Sequence, residues 1–220
     1  MINEARKTAL LHSVAKLEAY QQIQNEMGRT VAALNFRQAE GVFSHFSSRE
    51  DIWLEYGDEG VFSGRRAVRT ILEEQFGGPG RPGEMLDLQL TTPMIEVAGD
   101  LRTAKAVWWC PGAGALFREG RDPQAVWIWG MVSVDFVQED NTWKIWHLHY
   151  FRLIKCDYQK GWVEDTSMIH RPNIPVHPLA EPTTYHNPYS PLCVREAVPP
   201  CPSAYETYTD AGWMLDKHKQ

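Results

Sequence analysis

Between Ala125 and Asp157 the chain carries two long runs of period-two alternation, Val126–Val137 and Thr142–Ile154, joined by Gln138-Glu139-Asp140-Asn141. Alternation of this kind, broken only by a short polar and Asx-rich turn, predicts an antiparallel hairpin. In the first run Trp127, Trp129, Met131, Ser133 and Asp135 share one face and Val126, Ile128, Val132, Val134 and Phe136 the other. In the second, Lys144, Trp146, Leu148, Tyr150 and Arg152 share a face, opposite Ile145, His147, His149 and Phe151. Neither face of either strand is freely polar. Both sides of the sheet must therefore be covered, by the protein's own helices, a partner subunit or a ligand.

A chain of 220 residues with 43% hydrophobic content can bury one ordinary core and carry an appendage. The net charge of −6 is scattered, with no basic stripe, which argues against nucleic acid as a partner. Cys110, Cys156, Cys193 and Cys201 have neither zinc-site spacing nor the density of a disulfide scaffold. The N-terminus is charged where a signal peptide needs an apolar run, and no stretch approaches the ~18 apolar residues of a membrane span. The expectation is a reduced, cytoplasmic protein with no membrane partner. Nine tryptophans are compatible with an ordinary core, but several fall on adjacent strands, and a wide aromatic cavity is the sharper reading.

Upstream, apolar residues from Leu10 to Leu34 recur at helical spacing, interrupted only by Gly28, and predict one long helix over residues 3–36 or two joined near that glycine. A second helix is expected over Phe36–Phe46, a strand over Asp51–Tyr56, a turn at Gly57–Gly60, a short return strand, and a third helix over Gly64–Phe76. After the Gly/Pro-rich breaker at 77–83, strands are expected over Met85–Val97 and Leu101–Cys110, with Pro93 marking an edge or bulge, and then a charged loop over Arg118–Pro123. This order predicts an α+β fold in which three N-terminal helices cover one face of a curved antiparallel or mixed sheet.

The segment Ile23-Gln24-Asn25-Glu26-Met27-Gly28-Arg29, the unit Gly64-Arg65-Arg66-Ala67-Val68-Arg69 after a strand and turn, and the closing Trp143-Lys144-Ile145-Trp146-His147-Leu148 resemble the SnoaL-like branch of the nuclear-transport-factor-two-like superfamily over about residues 10–155. The resemblance implies a cone, a bent sheet wrapped round a deep apolar cavity closed by helices. It also implies chemistry without a cofactor: dehydratases, isomerases, polyketide cyclases and carbon–carbon lyases, beside members that only bind or scaffold. Residues 1–156 would form this domain. Residues 157–220, holding nine of the fourteen prolines together with Tyr185, Tyr189, Tyr205, Tyr208 and Trp213, are too aromatic for a disordered linker and predict an extended arm laid across the sheet or a neighbouring subunit. A homo-oligomer, dimer or trimer, with the arm at its interface is the matching expectation.

Chemistry in such a cone needs an acid or base buried among apolar groups, where its pKa is displaced. Cations rarely point into apolar cavities, so the alternation of the last strand predicts that Lys144 and Arg152 face out and that His147 and His149 face in, His149 being preferred as acid or base. The histidine pair offers no third ligand for a metal, and none is expected. In the steroid-isomerase branch of the superfamily the base is a carboxylate nine residues before the glycine that opens the third helix; counting back from Gly64 reaches Glu55. Apolar patterning instead favours Tyr56 as the inward residue, a donor to a developing oxyanion. His45 at the end of the second helix, Lys105 on a sheet strand and Asp135 beside the tryptophans complete the candidates, each with a plain structural alternative as cap, edge charge or solvated acid. Trp53, Trp108, Trp127 and Trp129, with Met131 and Phe151, would wall the cavity for a flat aromatic or polycyclic small molecule. No phosphate loop, nucleophile elbow or CxxC motif is present, which argues against nucleotide cofactors and covalent serine or cysteine catalysis. The sequence thus predicts a cofactor-independent lyase or dehydratase, or, failing that, a binding or assembly module of the same fold, or a cyclase or isomerase.

Overall fold

The computed structural model describes residues 3–117, 122–169 and 177–215, so most of the charged loop expected at Arg118–Pro123 lies outside the described residues. Helix α1 is continuous over Glu4–Asn35. Asn3 caps it by accepting a hydrogen bond from the Arg6 amide at 2.8 Å, and Gly28 passes through on the solvent side without interrupting it. Its C-terminal half buries Ile23, Met27 and Val31. Arg37, in the left-handed region at φ 58°, turns the chain out of α1, so α2 spans only Ala39–Ser44 rather than the whole of 36–46. Strands β1 (Trp53–Tyr56) and β2 (Gly60–Ser63) precede α3 (Gly64–Phe76), which buries Val68, Ile71 and Leu72.

The strand expected over Met85–Val97 is two: β3 (Met85–Leu88) and β4 (Pro93–Val97) pair with opposite ends of β5 (Thr103–Leu116). Proline, which cannot donate to the ladder, opens the second piece. β6 (Gln124–Glu139) and β7 (Thr142–Asp157) form the hairpin, with Asp140 at φ 47° and Asn141 at φ 61°, the paired left-handed residues of a two-residue turn. After the short helix α4 (Gly161–Glu164), β8 (Ala180–Glu181) adds to β2. The sheet runs β3-β5-β6-β7-β1-β2-β8 with β4 also on β5, and β1 lies parallel to β7 while the other pairs are antiparallel. This is the expected α+β plan.

Two irregularities in the β6–β7 register decide which residues face the interior. Between Asp135 and Phe136 the partner on β7 jumps from His147 to Ile145, and between Trp129 and Gly130 it jumps from Ile154 to Arg152. Each skips one β7 residue, Trp146 and Leu153, and an extra residue reverses the alternation beyond it. Ile145 is fully buried on the helix side, and strict alternation would carry His147 and His149 with it. The bulge at Trp146 sends them to the other face and brings Leu148, Tyr150 and Arg152 inside. The inward assignment of His147 and His149, and the outward assignment of Arg152, are corrected on this ground.

The interior core joins the three helices to the concave face through Ile23, Phe62, Leu72, Val134, Phe136 and Ile145. A second apolar cluster lies on the outer face, where Val107, Met131 and Phe151 pack with Val198, Trp213 and Met214 of the C-terminal arm. The arm is tied down at many points. The Glu55 carboxylate accepts hydrogen bonds from the Thr184 amide at 2.7 Å and from the hydroxyls of Thr183 and Thr184 at 2.5 and 2.8 Å. The Gly99 amide donates to the Tyr205 carbonyl at 2.9 Å. Where β8 meets β2, a Cβ on Gly60 (φ 117°) would lie 2.5 Å from the Glu181 carbonyl, so only glycine lets the two backbones approach.

Candidate active site

The interior holds a cavity of about 110 Å³ whose walls are largely aliphatic, among them Val31, Leu54, Leu72, Ile128, Val132 and Leu148. Its polar groups converge at one end: the phenols of Tyr56 and Tyr150, Gln75, the Cys110 thiol and the Arg152 guanidinium. Beside that end lies a second hollow, the mouth, of about 270 Å³, which shares Gln75 and Arg152 with the cavity and is also lined by Asn35, Arg37, Glu59, Glu84 and Lys155.

Arg152 is positioned by the parallel pairing of β1 with β7. That register sets Tyr56 against Tyr150 and brings the Gly57–Gly60 turn beside Arg152, the Gly57 amide donating to the Tyr150 carbonyl at 3.1 Å. Asp58 and Glu59 of this turn receive the guanidinium, which donates from Nη1 to Asp58 Oδ1 at 2.5 Å and to Glu59 Oε1 at 3.1 Å. Gln75 from α3 donates to Glu59 Oε2 at 2.7 Å, and Lys155 Nζ stands 4.0 Å from Glu59 Oε1. The Arg152 Nε is buried and meets no hydrogen-bond partner among the described residues.

Burial works against the charge of Arg152, but Asp58 and Glu59 override it and hold the guanidinium firmly protonated. Burial likewise raises Glu59, yet Arg152 prevails and keeps it an ionised carboxylate, below its ordinary range. Tyr56 and Tyr150 are pushed well above the usual phenol range, chiefly by burial, and so remain protonated donors. The Cys110 thiol is pushed up to about 12 by burial and is no thiolate nucleophile. Tyr150 owes its place to Gly130: a Cβ there would stand 2.7 Å from the phenol ring and 2.5 Å from the Phe151 carbonyl.

Of the residues singled out in the sequence, Tyr56 lines the cavity. His147, His149, Glu55, Asp135 and Lys105 lie together on the outer face under the arm. There His147 Nδ1 donates to Asp135 Oδ2 at 2.9 Å, while Tyr208 and the Trp213 indole donate to the same carboxylate, each at 2.7 Å. Lys105 Nζ lies 4.7 Å from the Tyr205 ring centroid. His149 stands 3.4 Å from Glu55 and stacks on Phe151 at 3.6 Å; burial lowers its pKa to about 3, so the contact is that of a neutral imidazole and not an ion pair. His45 donates to Glu26 at 2.6 Å and joins α2 to α1, away from the cavity.

The tryptophan walls are corrected too. Trp108 alone of the four turns inward, and it packs edge-on against Phe136 in the core. Trp53 of β1 stacks on His147 on the outer face, Trp127 tilts against Tyr158, and Trp129 shares the outer row of β6 with Trp127. Met131 and Phe151 belong to the outer cluster. Arg152, Tyr150, Gln75, Asp58 and Glu59 were missed. The signal that could have found them is the pair of acids in the turn after β1, which presupposes a buried cation to meet them. Among the described residues no cluster of His, Cys, Asp and Glu has the makings of a metal site, and no helix is long and apolar enough to cross a membrane.

Comparison with solved structures shows the same fold. A protein of Novosphingobium aromaticivorans provisionally assigned as a scytalone dehydratase is 18% identical and superposes with a TM-score of 0.57, the match covering 66% of this chain and 91% of that one. The type 3 LinA hexachlorocyclohexane dehydrochlorinase of Novosphingobium barchaimii is 15% identical with a TM-score of 0.55, covering 66% and 93%. A type 2 LinA dehydrochlorinase gives 15%, 0.56, 66% and 92%. No curated protein matches the sequence significantly. The profile of the SnoaL-like domain matches residues 15–149, which take in α1 beyond its third turn, α2, α3 and the sheet as far as the middle of β7. The chain belongs to the SnoaL-like domain family, on the cone-shaped α+β fold of the nuclear-transport-factor-two-like superfamily.

Proposed function

We propose that this protein is a cofactor-independent lyase that removes water, or a small aldehyde by retro-aldol cleavage, from a hydroxylated aromatic molecule held in the cone. The observation that carries this reading is the cation bordering an apolar cavity: Arg152, between two protonated phenols and beside the ionised Glu59. An apolar cavity near 150 Å³ admits one benzene ring. The inner chamber of about 110 Å³ suits one ring, and the mouth of about 270 Å³ takes the remainder of a larger molecule.

In loss of water, the Glu59 carboxylate takes the proton from the carbon beside the leaving hydroxyl. That electron pair becomes the new double bond as the C–O bond breaks, and Glu59 hands the proton to the departing oxygen, so water leaves and the carboxylate is restored. In retro-aldol cleavage Glu59 takes the hydroxyl proton, the O–H pair becomes the carbonyl of the departing aldehyde, and the C–C pair moves onto the conjugated remainder before Glu59 returns the proton to carbon. Arg152, Tyr56 and Tyr150 stabilise the oxyanion that builds up in either case, and they do so in a dry site where such donors are strongest. The fold relatives named as a dehydratase and dehydrochlorinases support elimination as the reaction type.

The test is incubation with a panel of aryl compounds bearing a β-hydroxyl, with mass spectrometry following loss of water or aldehyde. Tyr56→Phe is expected to lower kcat by about 10²–10³-fold, the usual effect of removing one oxyanion donor. Aryl ligands that bind in the cavity by calorimetry while none is turned over would instead establish the binding-module alternative.

A further inference from the structure

The N-terminal half of α1 carries a second apolar face that the domain does not cover. Leu10, Leu11, Val14 and Leu17 are 57%, 60%, 42% and 69% exposed. At 100° per residue the middle of this face lies roughly 180° round the helix from Ala19 and Ile23, which pack on the core. On the other side of this half His12 reaches the body, its Nε2 2.7 Å from the Gly99 carbonyl, and Ala15 and Lys16 are half-buried. Scattered exposed leucines are ordinary, but four within two turns form a seam.

We infer that this seam is a self-association surface, on which α1 of a second copy of this chain lies antiparallel about a twofold axis between residues 12 and 13. The seam is self-complementary in that register. Lys7, Leu11, Val14 and Glu18 form one stripe at spacing i, i+4, i+7, i+11. Reversed on itself, the stripe sets Leu11 against Val14 of the partner subunit and Lys7 against Glu18 of the partner subunit, and each contact occurs twice. Leu10 and Leu17 flank the same side, so they meet across the pair. A parallel pairing would set Lys7 beside Lys7 and Glu18 beside Glu18, which like charges disfavour. The inference rests on α1 alone and is independent of the proposed reaction.

One helix from each copy buries less than the roughly 1,200 Å² below which complexes are weak and transient. The expected association is therefore micromolar. Sedimentation velocity on the full chain from about 1 to 200 μM should show a monomer–dimer equilibrium within this range, consistent with that interface class. Leu11→Asp should leave the helical circular dichroism intact and raise the midpoint by at least about tenfold, the scale of 1.4 kcal/mol lost. Lys7→Glu and Glu18→Lys should each weaken the dimer, and the double variant K7E/E18K should restore it. A chain monomeric at every concentration overturns the inference, and so does a dimer indifferent to Leu11→Asp. A dimer that falls with Leu11→Asp but is not rescued by the double charge exchange overturns the antiparallel register.

Discussion

The two faces of the sheet bury ionisable groups in opposite ways. Inside, Arg152 is matched by Asp58 and Glu59 on one side and lines the cavity on the other, so part of its field is directed into that cavity. Outside, the Asp135 carboxylate is taken up by His147, Tyr208 and Trp213, and Glu55 by Thr183 and Thr184, all beneath the arm. A charge surrounded by its own donors has little left for a ligand; one that borders a cavity can act on whatever enters. Buried polar residues are therefore a poor guide to a site unless it is also known which of them border empty volume.

The sharpest way to break this contrast is Arg152→Met. Removing the guanidinium takes from Asp58 and Glu59 the cation that both carboxylates share, and loss of one partner of a buried pair costs about 3–5 kcal/mol. Denaturant unfolding should show a loss of that size, smaller at acid pH, where the stranded carboxylates take up protons. A loss under 1 kcal/mol would mean that the interior charges are hydrated and that the cavity is not the dry site described.

The outer face responds to pH through His149. Its pKa is lowered to about 3 by burial, against an ordinary value of 6.5, so between those values the unfolded chain binds a proton that the folded chain refuses. Stability then rises with pH across that window, is complete above about 6.5, and falls on acidification by roughly 1 kcal/mol per pH unit from this one group. His149→Gln should flatten the slope between pH 6 and 4 by about that amount. An unchanged slope would mean that the imidazole is solvated and that the arm does not seal this face.

Gly130→Ala tests the inner face from behind. The added methyl meets the Tyr150 ring and the Phe151 carbonyl, and overpacking of this kind costs about 1–3 kcal/mol. Because the ring must move, turnover should fall more than stability alone explains, whereas a variant with native activity would detach Tyr150 from the chemistry.

The long elements were legible in the sequence because they rest on local pattern. The β6–β7 hairpin, α1 and α3 follow from alternation, helical spacing and turn residues. The inward choice of Tyr56 over Glu55 was legible as well, since β1 is short and regular. What could not be read was the side of β7 that faces the helices, because alternation specifies faces only up to the first bulge and nothing local announces the extra residue at Trp146. One skipped residue exchanged His147 and His149 for Tyr150 and Arg152. The tryptophans misled for a related reason: an aromatic face signals burial, and the arm buries the outer face as well as any cavity would.

The smallest expected effect belongs to Asp135→Asn, and it bears most directly on the division between the faces. The amide can keep one acceptor for the Trp213 indole but gives up the charge and one of the carboxylate acceptors shared by Tyr208 and His147. Net loss of such a bond is about 1 kcal/mol, little against the whole fold. Tyr208 and Trp213 of the arm both donate to this carboxylate, so the loss should concentrate there. Amide exchange over residues 203–215 should quicken several-fold while β6 and β7 keep their protection. If Asp135 only fastens the arm, turnover should stay within about twofold of the parent, since the reacting molecule would lie on the far side of the sheet from it. A fall as deep as that of Tyr56→Phe would show that the outer network reaches the reacting molecule, and the chemistry would then have to be sought beneath the arm and not in the cone.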